Sequence, residues 1–147
     1  MSRIILGVDF GDARTGLAVA GRSGSIAVGA GLIRADGFKK ALAAVSEAAK
    51  REKAELIVVG NPLNMNGSTG ARTVRTDEFM AEVAKRTAIP LKKWDERLST
   101  KIAEAVLIEA GTSRGKRRGV VDKLAAQVIL QGYLDATGGG PVGEDEP

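Results

Sequence analysis

Apolar positions along this chain first come in short runs and then change to helical spacing, and the change marks out the elements. RIILGVD at residues 3–9 is an apolar run of strand length. The turn FGDARTG separates it from LAVA at 17–20, and GRSGS separates LAVA from IAVGAGLIRA at 26–35. Connections this short join antiparallel neighbours, so strands one to three are expected to form a meander. FKKALAAVSEAAKREK then spaces Phe38, Leu42, Val45 and Ala49 along one helical face, with lysines and acids opposite. ELIVVG at 55–60 is almost continuously apolar, the pattern of a parallel strand covered on both faces.

Beyond the loop NPLNMNGSTG the pattern predicts a helix from about Ala71 to Arg86, and Pro90 interrupts the chain before a fifth strand, LKKWDE. Ser99 is placed to cap a helix TKIAEAVLIEAG that Gly111 ends. TSRGKRRG reads as a basic loop, and DKLAAQVILQGYLDAT as the last helix. The order is βββαβαβαα. Strand–helix–strand connections after the third strand require right-handed parallel crossovers beside the first. The expected class is α/β, with a mixed five-stranded sheet, antiparallel through strands one to three and parallel through strands four and five, flanked by helices.

A chain of 147 residues is long enough for one domain with a sizeable core. That domain is expected over residues 1–137, with GGGPVGEDEP at 138–147 as a flexible, acidic tail. No signal-peptide pattern opens the chain and no apolar run is long enough to span a bilayer, so a cytoplasmic protein without membrane contact is expected.

Two absences narrow the chemistry. With no cysteine there is no disulfide, thiolate nucleophile or zinc ribbon, and with no histidine there is no Ser-His-Asp or Cys-His catalysis. Any catalysis must rest on carboxylates, lysines, hydroxyls or a bound cofactor, and hard oxygen ligands suit magnesium or manganese. The net charge is +4, but Glu144, Asp145 and Glu146 all lie in the tail. Without them the 18 acidic residues fall to 15 against 22 basic ones, a body charge of +7. Such a body favours a polyanionic partner.

In an open α/β sheet, ligands collect outside the carboxyl ends of the parallel strands. Asp9 ends the first strand, Asp95 and Glu96 end the fifth, and Asp122 opens the last predicted helix. Each has a plainer reading: Asp9 begins a turn with Gly11, Asp122 caps a helix, and Asp95 or Glu96 pairs with Arg97. Together they suggest more. Two carboxylates about 4 Å apart repel by about 4 kcal/mol at an effective dielectric of 20, so a cluster calls for a cation. Divalent ions held by such acids activate water for phosphodiester cleavage.

Four segments, GVDFGDARTGLAVA, IVVGNPLNMNGS, WDERLST and VDKLAAQVILQGYLD, lie in order within residues 4–135. Together they resemble the YqgF/RuvX family of RNase H-like nucleases. The resemblance implies an RNase H-like three-layer fold and a nuclease that uses a divalent metal, Mg2+ or Mn2+, to mature the 5′ end of pre-16S ribosomal RNA. It also implies that Asp9, Glu96 and Asp122 are catalytic metal ligands, with Asp95 a further candidate. Resolvases of this fold carry two acids one helical turn apart near the last helix; here Gly119 and Ala125 stand three residues either side of Asp122. RNA is therefore favoured over branched DNA, and Holliday junction cleavage is the alternative.

Around the acids, Arg14, Asn64, Ser68, Arg114, Lys116, Arg117 and Arg118 are candidate contacts to a nucleic acid backbone, the last four lying within five residues. Gly16 is expected to shape the first hairpin turn, and Trp94 to pack under the sheet edge. Two rivals remain. Actin-like ATPases and sugar kinases share the Asp-x-Gly turn but clamp ATP between two such domains. A P-loop fails because Leu17 stands where lysine is required. A non-catalytic RNA-binding protein would use the same basic body, with the acids as caps and turns. Either a monomer or a homodimer fits the sequence.

Overall fold

The computed structural model describes residues 4–11, 14–21, 26–33, 37–62, 70–95 and 114–137, the last segment with side chains from residue 125. Five strands form one sheet in the order β3-β2-β1-β4-β5: β1 (Ile5–Asp9), β2 (Thr15–Ala20), β3 (Ala27–Ile33), β4 (Leu56–Asn61) and β5 (Leu91–Asp95). β1, β2 and β3 are the expected antiparallel meander, and β4 and β5 run parallel to β1. The helices are α1 (Phe38–Glu52), α2 (Ala71–Arg86) and α3 (Arg114–Thr137).

The sheet separates two cores. On one face Leu6, Val8, Leu17, Ile57 and Val59 pack with Leu42, Val45 and Ala49 of α1 and Phe79 and Val83 of α2. On the other, Ile5, Ala18, Ala20, Leu56 and Val58 pack with Ala126, Ile129, Leu130, Tyr133 and Leu134 of α3. β4 sends Leu56 and Val58 one way and Ile57 and Val59 the other, which is why its sequence is apolar without alternation. α1 ends on Lys53, whose left-handed backbone (φ 57°) turns the chain back while its N–H and that of Ala54 donate to the last-turn carbonyls of Lys50 and Ala49. Glu55 N–H then donates to Ile4 O at 2.7 Å, which sets β4 in register beside β1.

Two expectations need correction. The sequence pattern makes TSRGKRRG a loop and has Asp122 open the last helix; instead α3 begins at Arg114, and Asp122 lies in its interior. Gly115 and Gly119 each weaken a helix by about 1 kcal/mol, but no proline intervenes, and extending an existing helix adds one hydrogen bond per residue. Gly16, expected in the hairpin turn, belongs to β2 and pairs with Asp9. The glycine that the turn requires is Gly11, where a Cβ would stand 2.7 Å from Arg14 O. Trp94 does pack at the sheet edge, edge-on to Tyr133 at 5.8 Å between ring centres. The predicted helix at 100–110 and the tail at 138–147 lie outside the described residues.

Candidate active site at the carboxyl edge of the sheet

Asp9 is the last residue of β1, and strand alternation decides which way it faces. Ile5 belongs to the α3-side core, and Gly7 lies directly against Leu130 of α3. Asp9 continues that alternation. A Cβ built on its pair partner Gly16 would lie 3.8 Å from Asp9 Cβ and 3.5 Å from Ala126 Cβ. Asp9, Gly16 and Ala126 therefore meet at one point, where α3 crosses the end of β1. Since Ala126 sits by Asp9 while Leu130 sits by Gly7, α3 runs antiparallel to β1. Its N-terminal part therefore extends past the carboxyl end of the strand. Asp122 lies one helical turn, about 6 Å of rise, before Ala126.

Asp9 is half-buried and lines a cleft of about 200 Å³ together with Phe10, Gly11, Arg14, Gly16, Leu32 and Arg72. The backbone that presents it is anchored by the next residue. Phe10 turns to the opposite face and stacks on Phe79 of α2, with ring centres 4.3 Å apart and planes 14° from parallel. Phe38 of α1 packs edge-on against both rings at 5.9 Å. Such a trio fixes ring orientation as well as burying area, so the end of β1 is held from both helices of that layer.

β5 delivers a second carboxylate to the same edge, but onto the other face. Asp95 pairs with Asn61 of β4. Within β5, Leu91 packs into the α1/α2 core and Lys93 forms an ion pair with Asp77 of α2, whereas Trp94 lies on the α3 side with Tyr133. Alternation thus puts Asp95 on the α2 side, across the sheet from Asp9.

Of the predicted site residues, Asp9 and Arg14 share the cleft. Glu96, Asn64 and Ser68 lie outside the described residues, as do the side chains of Asp122, Arg114, Lys116, Arg117 and Arg118, whose backbone is helical. Among the described residues no three carboxylates gather. Arg72 is a cleft residue that sequence reasoning missed. Its signal was its place in GARTVRT, the first turn of the helix that follows the β4 loop. α2 turns it outward because Thr73 and Thr76 are buried on the inner side, with Thr73 Oγ1 donating to Pro62 O at 3.0 Å.

The family model for RuvX, described as Holliday junction resolvase, matches residues 3–136. The chain belongs to the RuvX family. As a RuvX protein it is a nuclease. It is 43% identical over 141 residues to a protein of Syntrophomonas wolfei, covering 96% of this chain and 98% of that one. It is 44% identical over 132 residues to one of Desulforamulus reducens, covering 90% and 96%. Both relatives carry the name "Putative pre-16S rRNA nuclease". Among solved structures, Thermus thermophilus RuvC matches with a TM-score of 0.56 at 17% identity, covering 92% of this chain and 96% of RuvC. The fowlpox virus Holliday junction resolvase matches with a TM-score of 0.54 at 11% identity, covering 90% and 98%. At those identities the likeness is one of fold, and the RuvX sheet, with its antiparallel meander and two parallel crossovers, is the expected RNase H-like arrangement.

Proposed function

We propose that the protein is a divalent-metal-dependent phosphodiester hydrolase of the cytoplasm that acts on RNA, processing the 5′ end of pre-16S ribosomal RNA. The observation that carries this reading is the meeting of Asp9, Gly16 and Ala126, with Asp122 one turn away on α3 and β5 ending at Asp95 two strands over, Glu96 being next in the sequence. The names of the relatives supply the substrate.

The residues at hand fit a magnesium or manganese ion. Asp9 is a hard oxygen donor beside a solvent-open cleft, and glycine at position 16 keeps a side chain away from its carboxylate. Asp9, Glu96 and Asp122 would hold the ion. Asp95 faces the α2 side, across the sheet from Asp9. When bound, the metal supplies Lewis-acid charge and a water of lowered pKa. The chain's own part is to orient the phosphodiester. Arg14 lines the cleft beside Asp9, and Arg114, Lys116, Arg117 and Arg118 lie within about two turns of Asp122 on the same helix. Guanidinium groups suit phosphate oxygens because they present two donors at once. Asn64 and Ser68, which follow β4 in the sequence, would add backbone contacts.

Cleavage of Holliday junctions is the second reading, favoured by the family description. Against it, α3 places Gly119 and Ala125 three residues either side of Asp122, leaving that part of the helix with a single acid.

The test offers wild type, Asp9→Asn and Glu96→Gln, each with Mn2+, two substrates: a labelled precursor-rRNA fragment spanning the 5′ end of 16S rRNA, and a four-way DNA junction. The expected result is RNA cleavage by wild type alone. Symmetric junction cutting would establish the second reading. Cleavage retained in Asp9→Asn would overturn the metal site, and RNA bound but uncut by wild type would favour a binding protein.

A further inference from the structure

We infer that Arg72, in the first turn of α2, is a substrate-positioning residue that grips the phosphate next to the one being cut, on the α2 side of the cleft. The inference rests on the nuclease reading and deepens it.

Arg72 lines the Asp9 cleft opposite α3, together with Arg14. It also lines a second, smaller hollow formed by Phe10, Gly11, Arg75 and Thr76. The two hollows share Phe10, Gly11 and Arg72, so they adjoin at these residues and together make a path from Asp9 towards Arg75 and Thr76 of α2. Along this path the described charged residues are three arginines and one aspartate, and Arg72 stands where the hollows join. That is the charge pattern of a site for consecutive phosphates rather than for a lone metal.

The neighbours hold the first turn of α2, from which Arg72 projects, in place. Thr73 and Thr76 are buried, and Thr73 is tied to Pro62 O, so the first turn of α2 cannot roll without breaking a buried hydrogen bond. Arg75 lies over the Phe38 ring at 4.4 Å and 3.9 Å from Glu78, and it lines the path beside them. Phe10 packs beneath. Gly11 keeps the floor low, since a Cβ there is already excluded by Arg14 O. A strand lying in this path would have its cut phosphate at Asp9 and the adjoining one at Arg72, gripped from the side opposite α3.

The experiment compares full-length wild type, Arg72→Ala, Arg72→Lys and, as a control at the far end of α2, Lys85→Ala. Steady-state cleavage of the labelled precursor-rRNA fragment is measured with Mn2+, and binding of the same RNA is measured by fluorescence anisotropy across a salt series without added metal. Arg72→Ala is expected to raise KM about tenfold with kcat changed by less than about threefold, as for loss of one charge-assisted contact made equally in ground and transition states. Its salt slope should fall by about 0.7, one phosphate contact on a single strand. Arg72→Lys should restore the slope but leave KM several-fold raised, because an ammonium does not reproduce the two-pronged contact. Lys85→Ala should match wild type.

An unchanged KM and slope in Arg72→Ala, or a loss confined to kcat, would overturn the inference. If wild type binds RNA without cutting it, the nuclease reading fails, and the salt slope alone decides for or against Arg72. No binding by wild type overturns both. Should Arg72→Ala melt well below wild type, Arg72→Lys decides in its place: raised KM with an intact slope supports the grip, and wild-type KM refutes it.

Discussion

Gly7 of β1 and Leu130 of α3 approach so closely that a Cβ added at position 7 would stand 2.8 Å from Leu130 Cβ and 3.2 Å from Ala126 O. The nearest atom is a Cβ, fixed to the backbone, so no rotamer change relieves the contact and the helix itself must move. Gly7→Ala should therefore lose about 1–3 kcal/mol of stability, read from urea unfolding. Because α3 also carries Asp122, cleavage should fall further than stability alone explains. A variant as stable and active as wild type would refute this packing.

Gly16→Ala separates the site from the fold. The new methyl would meet Ala126 and Asp9 at 3.5 and 3.8 Å, ordinary contact distances, so melting should stay near wild type. Yet the methyl enters the space beside the Asp9 carboxylate. Mn2+ titration by calorimetry should show weakened binding, and cleavage should drop about tenfold or more through misplacement of the reacting groups. Unchanged metal affinity would mean that the ion does not sit there.

Phe79 is fully buried beneath Phe10. Phe79→Ala should cost about 3–5 kcal/mol, the range for an aromatic removed from a packed core. Phe79→Leu keeps most of the volume and loses the stack, worth about 0.5–1.5 kcal/mol beyond area. The leucine variant should fold and show a raised KM, because Phe10 adjoins both Asp9 and the path to Arg72. Chemical denaturation and steady-state kinetics together check this.

Two glutamines of α3 clamp the backbone of the sheet's outer strand. Ala27 N–H donates to Gln131 Oε1 at 2.9 Å, and Gln127 Nε2 donates to Ala27 O at 3.1 Å. Ala27 is buried, so Gln131→Leu strands its N–H and should cost about 1–3 kcal/mol. Amide hydrogen exchange should quicken at Ala27 before it does at β1. Unaltered exchange there would show that the clamp contributes nothing.

Glu82 on α2 titrates below the usual glutamate range, first because Lys85 donates a hydrogen bond to it and attracts its charge, with Arg86 adding to both effects. A depressed folded-state pKa gives stability that is present above the unfolded value and lost as pH falls through the folded one. The group is exposed, so the effect is small and screened by salt. NMR titration of the Glu82 carboxyl should give a midpoint that rises in Lys85→Ala and in high salt; no movement in either would refute the pairing.

Among the described residues, element order and most element bounds are legible in the sequence because each rests on local signals. The apolar run of β1 ends at Asp9, α1 repeats Leu42, Val45 and Ala49 at helical spacing, and β4 is apolar on both sides. Short turns imply the meander for the same reason. Asp9 stands out as a candidate site residue because an acid at the end of a buried strand is costly without compensation. Where local signals compete, they mislead. The glycines of TSRGKRRG read as a loop, yet from Arg114 onward that segment is the start of α3.

Contacts between residues far apart in sequence are a different matter, and they exist only in the folded chain. That Gly7 is small because Leu130 lies on it, that Asp95 faces away from Asp9, and that Arg72 shares a cleft with Arg14 are consequences of sheet order, strand parity and the placing of α2 and α3. Periodicity gives each element its faces. Which face meets which neighbour is settled only when the two cores close on either side of the sheet.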